Sequence, residues 1–274
     1  MQILSASLKA EGKTIGFVPT MGYLHKGHLS LIKKSKEKCD ITIVSIFVNP
    51  TQFGPNEDLK KYPRDIERDK KLLKDYGVDY LYLPNEKEIY PKNFQTYVEV
   101  SNISKILEGE FRPTHFKGVT TIVSILFNSV NPDYSFFGQK DAQQAAIIRQ
   151  MINDLKFNIK IIVCPIVREP DGLAMSSRNV YLSKNERTDA LVLNKSLKIA
   201  AESIKRGETN SLKILNKMKK LIASVDSSKL DYVQVVEADS FILAKNLNKG
   251  KRYYFLIACK IGNTRLIDNI LIEA

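Results

Sequence analysis

Four short stretches of the chain gather residues able to handle phosphate or a carboxylate. Residues 19–28, PTMGYLHKGH, place His25 and His28 three positions apart with Gly27 between them. Two imidazoles at that spacing can reach one phosphate group and give it hydrogen bonds as its phosphorus turns pentavalent. The same pair could instead bind a metal or be two surface histidines satisfied by their neighbours, and spacing alone does not separate these readings. Residues 44–54, VSIFVNPTQFG, carry Asn49 and Gln52, neutral amides able to read carboxylate, hydroxyl or amine groups without a competing charge. Asn49 before Pro50 is equally a turn cap. Residues 136–144, FFGQKDAQQ, hold Lys140, a mobile point charge for phosphate, and Asp141, a partner for ribose or a metal, with Gln144 a short helical step on. The plain alternative is a helix cap at Asp141 beside an exposed Lys140. Residues 167–179, VREPDGLAMSSRN, run from a Pro170, Asp171, Gly172 turn into Ser176, Ser177 and Arg178. Such a loop can cover a polyphosphate and offer its arginine to leaving pyrophosphate, or it can be a solvated domain junction.

These residues need a frame. Residues 14–18 read as a short strand closed by Pro19, and Gly22 and Gly27 flank the turn before a helix that starts near Leu29 and Ile32. A strand-to-helix junction is where an open α/β sheet binds ligands and where free helix N–H groups meet phosphate. Residues 41–48 are nearly continuous apolar and β-branched, which suits a central parallel strand covered on both faces. Helical spacing runs from Leu59 through Ile66 to Leu73, and residues 79–83 form a strand ending at Pro84. Helix over 119–130, strand over 134–137, helix over 143–155 and strand over 159–163 continue the alternation, which is the α/β pattern. Beyond Ser176 the texture changes to amphipathic helices over 185–205 and 211–225, then strand-like runs over 232–236, 253–259 and 264–272. The expected architecture is α/β: a doubly wound parallel sheet over residues 1–177, then a smaller C-terminal α+β domain over 178–274. No long Gly/Ser linker, internal repeat or low-complexity tract interrupts it.

Composition narrows the function classes. Hydrophobic residues at 43% and charged residues at 26% belong to a folded globular chain, and no apolar run approaches the roughly 18 residues needed to span a bilayer. The beginning of the chain lacks a basic region followed by an apolar stretch, so export is not expected. Cys39, Cys164 and Cys259 are far apart, with no CxxC, and read as buried free thiols in a reducing compartment, hence a cytoplasmic protein. The formal charge of +12, from 42 Lys plus Arg against 30 Asp plus Glu, raises nucleic acid as a partner. Scattered lysines and the absence of Trp favour a lysine-rich solvated surface instead, so neither nucleic acid nor membrane is an expected partner.

Together with YPRD at 62–65 and LEGEFRPTHF at 107–116, the four stretches strongly resemble the pantothenate synthetase (pantoate–β-alanine ligase) family. The likeness runs in order from Thr14 to Asn179 and resumes at Asp231, Tyr232 and at RLID, 265–268. It implies a Rossmann-like domain of the HxGH nucleotidyltransferase type, a smaller C-terminal domain closing over the site, and a homodimer. It also implies a reaction: ATP and pantoate give pantoyl adenylate and pyrophosphate with Mg²⁺, and β-alanine then attacks to give pantothenate and AMP. By that resemblance His25, His28, Lys140 and Arg178 are catalytic, the histidines contacting the ATP phosphates. Pro19, Thr20, Met21, Gly138, Asp141, Val167, Met175, Ser176 and Ser177 join them around the nucleotide. Gln52 and Gln144 grip pantoate, Met21 and Phe137 line its pocket, and Asn49, Tyr62 and Arg112 contribute on the substrate side. The metal ligands are left unspecified.

Two positions depart from the family pattern. Lys26 stands where an acidic residue is frequent, and is expected to point away and alter surface charge rather than chemistry. Gln139 stands where glutamate is usual before the Lys-Asp pair, and its neutrality would modestly weaken the orientation of Lys140. The competing functions are another nucleotidyltransferase, which would not need Gln52 and Gln144 for pantoate, and a basic RNA-binding protein without catalysis.

Overall fold

The computed structural model describes residues 1–55 and 57–274. By internal contacts the chain divides into two compact units. One comprises Met1–Gln139 with Gln143–Pro165, the other Lys140–Ala142 with Ile166–Ala274. The stretch from Ile166 to Ser177, assigned to the first domain on sequence texture, therefore packs within the second unit. The reason is a bridge between Arg168 and Ala174 and the pairing of Arg168 with Asp268 on the last strand.

The first unit opens with helix α1 (Gln2–Ala10), then β1 (Ile15–Thr20), α2 (Lys26–Lys38), β2 (Ile41–Ile46), α3 (Ile66–Asp75) and β3 (Tyr80–Tyr82). Two short helices, α4 (Glu86–Ile89) and α5 (Glu108–Phe111), precede α6 (His115–Val130), β4 (Tyr134–Gly138), α7 (Ala142–Leu155) and β5 (Lys160–Cys164). All five strands pair in parallel in the order β3-β2-β1-β4-β5. Adjacent residues of each inner strand enter opposite cores, as the two-residue period of a strand requires. Phe17, Ile43 and Phe137 pack with α1, α6 and α7, whereas Val18, Val44 and Phe136 pack with α2 and α3. The sheet is thus covered on both faces, which is why β2 reads as an unbroken apolar run. The order of strand addition reverses between β1 and β4, the switch point at whose carboxyl edge such sheets bind ligands.

Local chemistry sets the element ends. Helical spacing begins at Leu59 in the sequence, yet α3 starts only at Ile66. Pro63 blocks a continuous helix, and the Asp65 carboxylate caps the new start by accepting the Arg68 N–H at 3.1 Å. Helix α6 begins four residues before its apolar run, at His115, and stops at Asn131, which adopts the left-handed conformation at φ 46. Helix α1 has no counterpart among the sequence expectations.

In the second unit α8 (Lys184–Lys205) and α9 (Ser211–Ala223) cover an antiparallel sheet of β6 (Ser228–Glu237), β7 (Arg252–Ile261) and β8 (Thr264–Glu273). Ser183 and Glu186 form a reciprocal capping box at the start of α8. The apolar stripes Leu193, Leu197 and Ile214, Met218, Ile222 bury against Val233, Phe255 and Ile257. Burial lifts the Cys39 and Cys259 thiols to about 11, and all three cysteines are free. Among the described residues no helix is long and apolar enough to cross a membrane.

Candidate active site

Three of the four sequence stretches follow the carboxyl ends of β1, β2 and β4. At the end of β1, the Thr20 hydroxyl donates to the Ser45 carbonyl at 2.8 Å and accepts the Gly22 N–H at 3.2 Å. Gly22 turns with φ +79, and a Cβ there would lie 2.9 Å from Ile46 Cγ2, so glycine suits this turn for both conformation and space. The next two N–H groups, of Tyr23 and Leu24, donate to the two carboxylate oxygens of Asp69 at 2.6 and 2.8 Å. Asp69 is 1% exposed on α3. Arg68 completes this clamp by donating to the Leu24 carbonyl at 2.8 Å and stacking over the Tyr23 ring.

The clamped turn delivers His25 to the N-cap of α2. His25 Nδ1 accepts the Gly27 N–H at 3.1 Å, and His28 Nδ1 accepts the His25 N–H at 3.2 Å. The rings lie 4.1 Å apart between centroids. A neutral imidazole that accepts at Nδ1 carries its proton on Nε2. The backbone therefore fixes both tautomers, with the proton of each neutral ring on Nε2. The positive end of the helix dipole favours an anion at the same place. Lys26 is exposed.

Beyond β2, Asn49 and Gln52 lie in a turn of 3-10 helix, Pro50–Gln52, and both are buried. The turn packs against α6 so closely that a Cβ on Gly118 would sit 2.5 Å from the Thr51 carbonyl oxygen and 2.6 Å from the Gln52 nitrogen. Asn49 Nδ2 donates to Gln52 Oε1 and to the Gly118 carbonyl, each at 3.1 Å. Gln52 Nε2 lies 3.1 Å from the Met21 sulfur, which brings Met21 and Gln52 together. The Gln52 carbonyl meets His115 Nδ1 at 2.9 Å. His115 is pushed down to about 4, chiefly by burial and then by the Arg112 charge. Arg112 turns its fork to Glu57, at 2.6 and 2.8 Å. Tyr62 packs edge-on against Phe53.

Beyond β4, Phe137 is buried, Gly138 ends the strand, and Gln144 is half-buried in the first turn of α7. Its neighbour Gln143 is buried and structural, bonding the Ile103 and Ile106 carbonyls and the Glu108 N–H. In the second unit, the Lys140 ammonium lies 3.4 Å from Asp141, and the Lys140 carbonyl accepts from Asn269 Nδ2 at 2.9 Å. Asn269 is held in turn by Asp268, whose carboxylate takes both Arg168 amino groups at 2.7 and 2.9 Å. Burial pushes the Asp268 carboxyl upward while the Arg168 bonds oppose that. Ser176 accepts the Arg178 N–H at 3.2 Å as a short 3-10 helix, Ser177–Tyr181, begins. Val167 accepts the Met175 N–H through its carbonyl at 3.0 Å, closing the turn that carries this segment.

Sequence reasoning missed Asp69, Asn269 and Tyr90, whose hydroxyl donates to Asn49 Oδ1 at 2.7 Å. Asp69 sits among lysines in a segment that reads as a solvated helix, and its only signal is a charge placed near Leu72 and Leu73 on the apolar side. Tyr90 and Asn269 act across 41 and 129 positions, separations no local pattern records. A cavity of about 560 Å³ in the second unit, lined by Ile199, Arg206 and Lys217 among others, contains none of the motif residues.

A five-stranded, doubly wound parallel sheet with phosphate-competent side chains at its carboxyl edge makes this an α/β enzyme of the Rossmann-like class. A family model described as Pantoate-beta-alanine ligase matches residues 1–271. The pantothenate synthetase of Caldicellulosiruptor saccharolyticus is 55% identical over 273 residues, covering 100% of this chain and 96% of its own. That of Acetivibrio thermocellus is 55% identical over 263 residues, 96% of this chain and 92% of its own. The crystal structure of pantothenate synthetase from Thermus thermophilus superposes with a TM-score of 0.91 at 41% identity, over 97% of this chain and 96% of that one. A Francisella tularensis pantoate-beta-alanine ligase, complexed with beta-gamma ATP and beta-alanine, gives 0.76 at 40% identity over 97% and 94%. The chain belongs to the pantoate–β-alanine ligase family.

Proposed function

We infer that the chain joins pantoate to β-alanine at the expense of ATP, forming pantothenate, AMP and pyrophosphate. The observation that carries this is the extent of the family match, residues 1–271, which takes in every motif described above. The chemistry has a physical logic. A carboxylate is a poor electrophile for an amine because an oxide would have to leave. Attack of a pantoate carboxylate oxygen on the α-phosphorus of ATP expels pyrophosphate and gives a mixed anhydride. The β-alanine nitrogen then attacks the acyl carbon, the C–O bond to phosphate breaks, AMP departs with the electron pair, and the amine gives up its proton.

In this reading the His25 and His28 Nε2–H groups donate to phosphate oxygens as charge develops there, beside Pro19, Thr20 and Gly138 at the strand ends. Lys140, Ser176, Ser177 and Arg178 meet the polyphosphate, with Asp141, Val167 and Met175 in the nucleotide neighbourhood. Gln52 and Gln144 hold pantoate against Met21 and Phe137, while Asn49, Tyr62 and Arg112 shape that side. No nucleophilic side chain is required.

Mg²⁺ usually binds through one or two carboxylates plus substrate phosphates rather than in an all-protein cage. Among the described residues no group of three His, Cys, Asp or Glu is placed to hold a metal. Asp141, 46% exposed at its side chain and next to Lys140, fits the carboxylate part of such a site. Bound with the nucleotide, the ion would neutralise phosphate charge. A homodimer in the cytoplasm completes the proposal and rests on family likeness.

Purified protein given ATP, Mg²⁺, pantoate and β-alanine should produce AMP and pantothenate in equal amounts. Without β-alanine it should release pyrophosphate and retain pantoyl adenylate. Absence of pantothenate across a range of pH and divalent metals would overturn the assignment.

A further inference from the structure

The amide of Gln52 can present either a carbonyl or an NH₂ to a ligand, and its environment decides which. Asn49 is 1% exposed, and all four of its amide hydrogen-bonding positions are taken inside the protein. Its Oδ1 accepts from the Tyr90 hydroxyl at 2.7 Å and from the Thr51 hydroxyl at 3.0 Å. Its Nδ2 donates to the Gly118 carbonyl and to Gln52 Oε1. The Gly118 carbonyl only accepts, so a flipped Asn49 would set oxygen against oxygen there, whereas the Tyr90 and Thr51 hydroxyls, 3.0 Å from each other, both donate and accept and hold the other end of the amide. One orientation of Asn49 survives. Gln52 Oε1 is thereby committed, and its NH₂ turns toward the Met21 thioether, a weak acceptor that a ligand oxygen would displace.

We propose that Asn49, oriented by the Gly118 carbonyl and anchored by the Tyr90 hydroxyl, is a positioning residue that fixes the polarity of the Gln52 amide, so that it offers N–H donors to a substrate oxygen. This rests on the reading that Gln52 holds pantoate. Asn49 acts through Gln52, not on the substrate, and the arrangement selects a carboxylate or hydroxyl oxygen over an ammonium. The sequence left that choice open, because an isolated amide suits either. The main chain of Gln52 is held separately by His115, so side-chain polarity can be altered without releasing the turn. Tyr90 is also secured by its ring, edge-on to Phe94 at 5.0 Å and beside Phe47, so Tyr90→Phe keeps the packing and removes only the hydroxyl. Burial raises the Tyr90 phenol above its ordinary range, which keeps it a donor at neutral pH.

The test is steady-state kinetics on the full chain with Tyr90→Phe, Asn49→Asp and Gln52→Ala, alone and paired. Tyr90→Phe should raise the KM for pantoate about five-fold, the equivalent of one ordinary hydrogen bond, with the KM for ATP unchanged. Asn49→Asp replaces the donor facing Gln52 with an acceptor and reverses the amide, so its effect on pantoate KM should exceed that of Tyr90→Phe. In a Gln52→Ala background both substitutions should become silent. An effect of either that persists undiminished in that background overturns the proposal, as does an equal rise in the KM for ATP. If Asn49→Asp fails to fold, the Tyr90→Phe and Gln52→Ala pair decides the matter. The side-chain amide NMR signal of Gln52, identified by its loss in Gln52→Ala, gives a readout independent of turnover. A shift in Tyr90→Phe supports the relay, and an unmoved signal overturns it. If the unsubstituted chain makes no pantothenate, the functional reading fails by itself while the amide signal still reports on the relay.

Discussion

The carboxylate of Asp69 on α3 accepts the backbone N–H of Leu24 at 2.8 Å, one residue before His25. A charge buried at 1% exposure thus holds the main chain that aims the first histidine. Replacing Asp69 with Ala leaves the Tyr23 and Leu24 N–H groups without acceptors in a dry setting, at a cost of roughly 1–3 kcal/mol for each unsatisfied group. Urea unfolding should register that loss. Displacement of His25 should also lower kcat about a hundred-fold, since misplacement near 1 Å is worth that much. Asp69→Asn, which keeps one acceptor, should fall between the two proteins. Full activity in Asp69→Ala would show that the turn holds itself.

His28 serves the transition state in the proposed mechanism. His28→Ala should lower kcat by roughly 10²–10³ while the KM for pantoate stays nearly constant, and pyrophosphate release without β-alanine should slow in parallel. A raised pantoate KM with normal turnover would move His28 from phosphate to substrate binding.

His115 links stability to pH. Its folded value is about 4 against an ordinary 6.5, because burial disfavours the charged ring. The folded protein therefore binds a proton less readily than the unfolded chain. The stability this group supports is complete above pH 6.5 and is lost as the pH falls through 4. The difference corresponds to roughly 3 kcal/mol. Urea midpoints measured from pH 7.5 to 4 should fall for the native chain and fall less for His115→Gln. Parallel curves would mean the ring is solvated.

Gly118 is where α6 touches the Gln52 turn. Gly118→Ala forces a methyl against backbone atoms at 2.5 and 2.6 Å, so the two segments must part, at about 1–3 kcal/mol. The pantoate KM should rise more than the ATP KM. Thermal denaturation and paired kinetics check both halves.

Much of this was legible from residue order. The β2 run reads as a central strand because both its faces are covered, and β1 lies between β2 and β4 where the Pro19–His28 stretch would need it. The histidine, amide and lysine motifs all follow strands of that sheet. What escaped the sequence depends on contacts between distant segments. Leu59 keeps a helical period that Pro63 and Asp65 override locally. Asp69 looks solvated until Gly22 bends the chain back upon it. Asn49 appears as a free amide until Tyr90 and Gly118, 41 and 69 positions away, occupy both of its ends. Periodicity reports which face is buried, not which hydrogen bond is already taken.

Helix α2 begins on two histidines, although Ser, Thr, Asp and Asn are the stronger N-caps. The rings that would face phosphate are the same rings that close the helix end, so neither duty can be adjusted alone. Substituting Ser or Asp at His25 to harden the protein against heat would improve the cap and forfeit a donor. Thermostable variants sought by random mutation and screened only for folding should accumulate changes at this position, whereas a screen for product should exclude them. On the proposed mechanism, one helix end serves both stability and turnover, and the two pull in opposite directions.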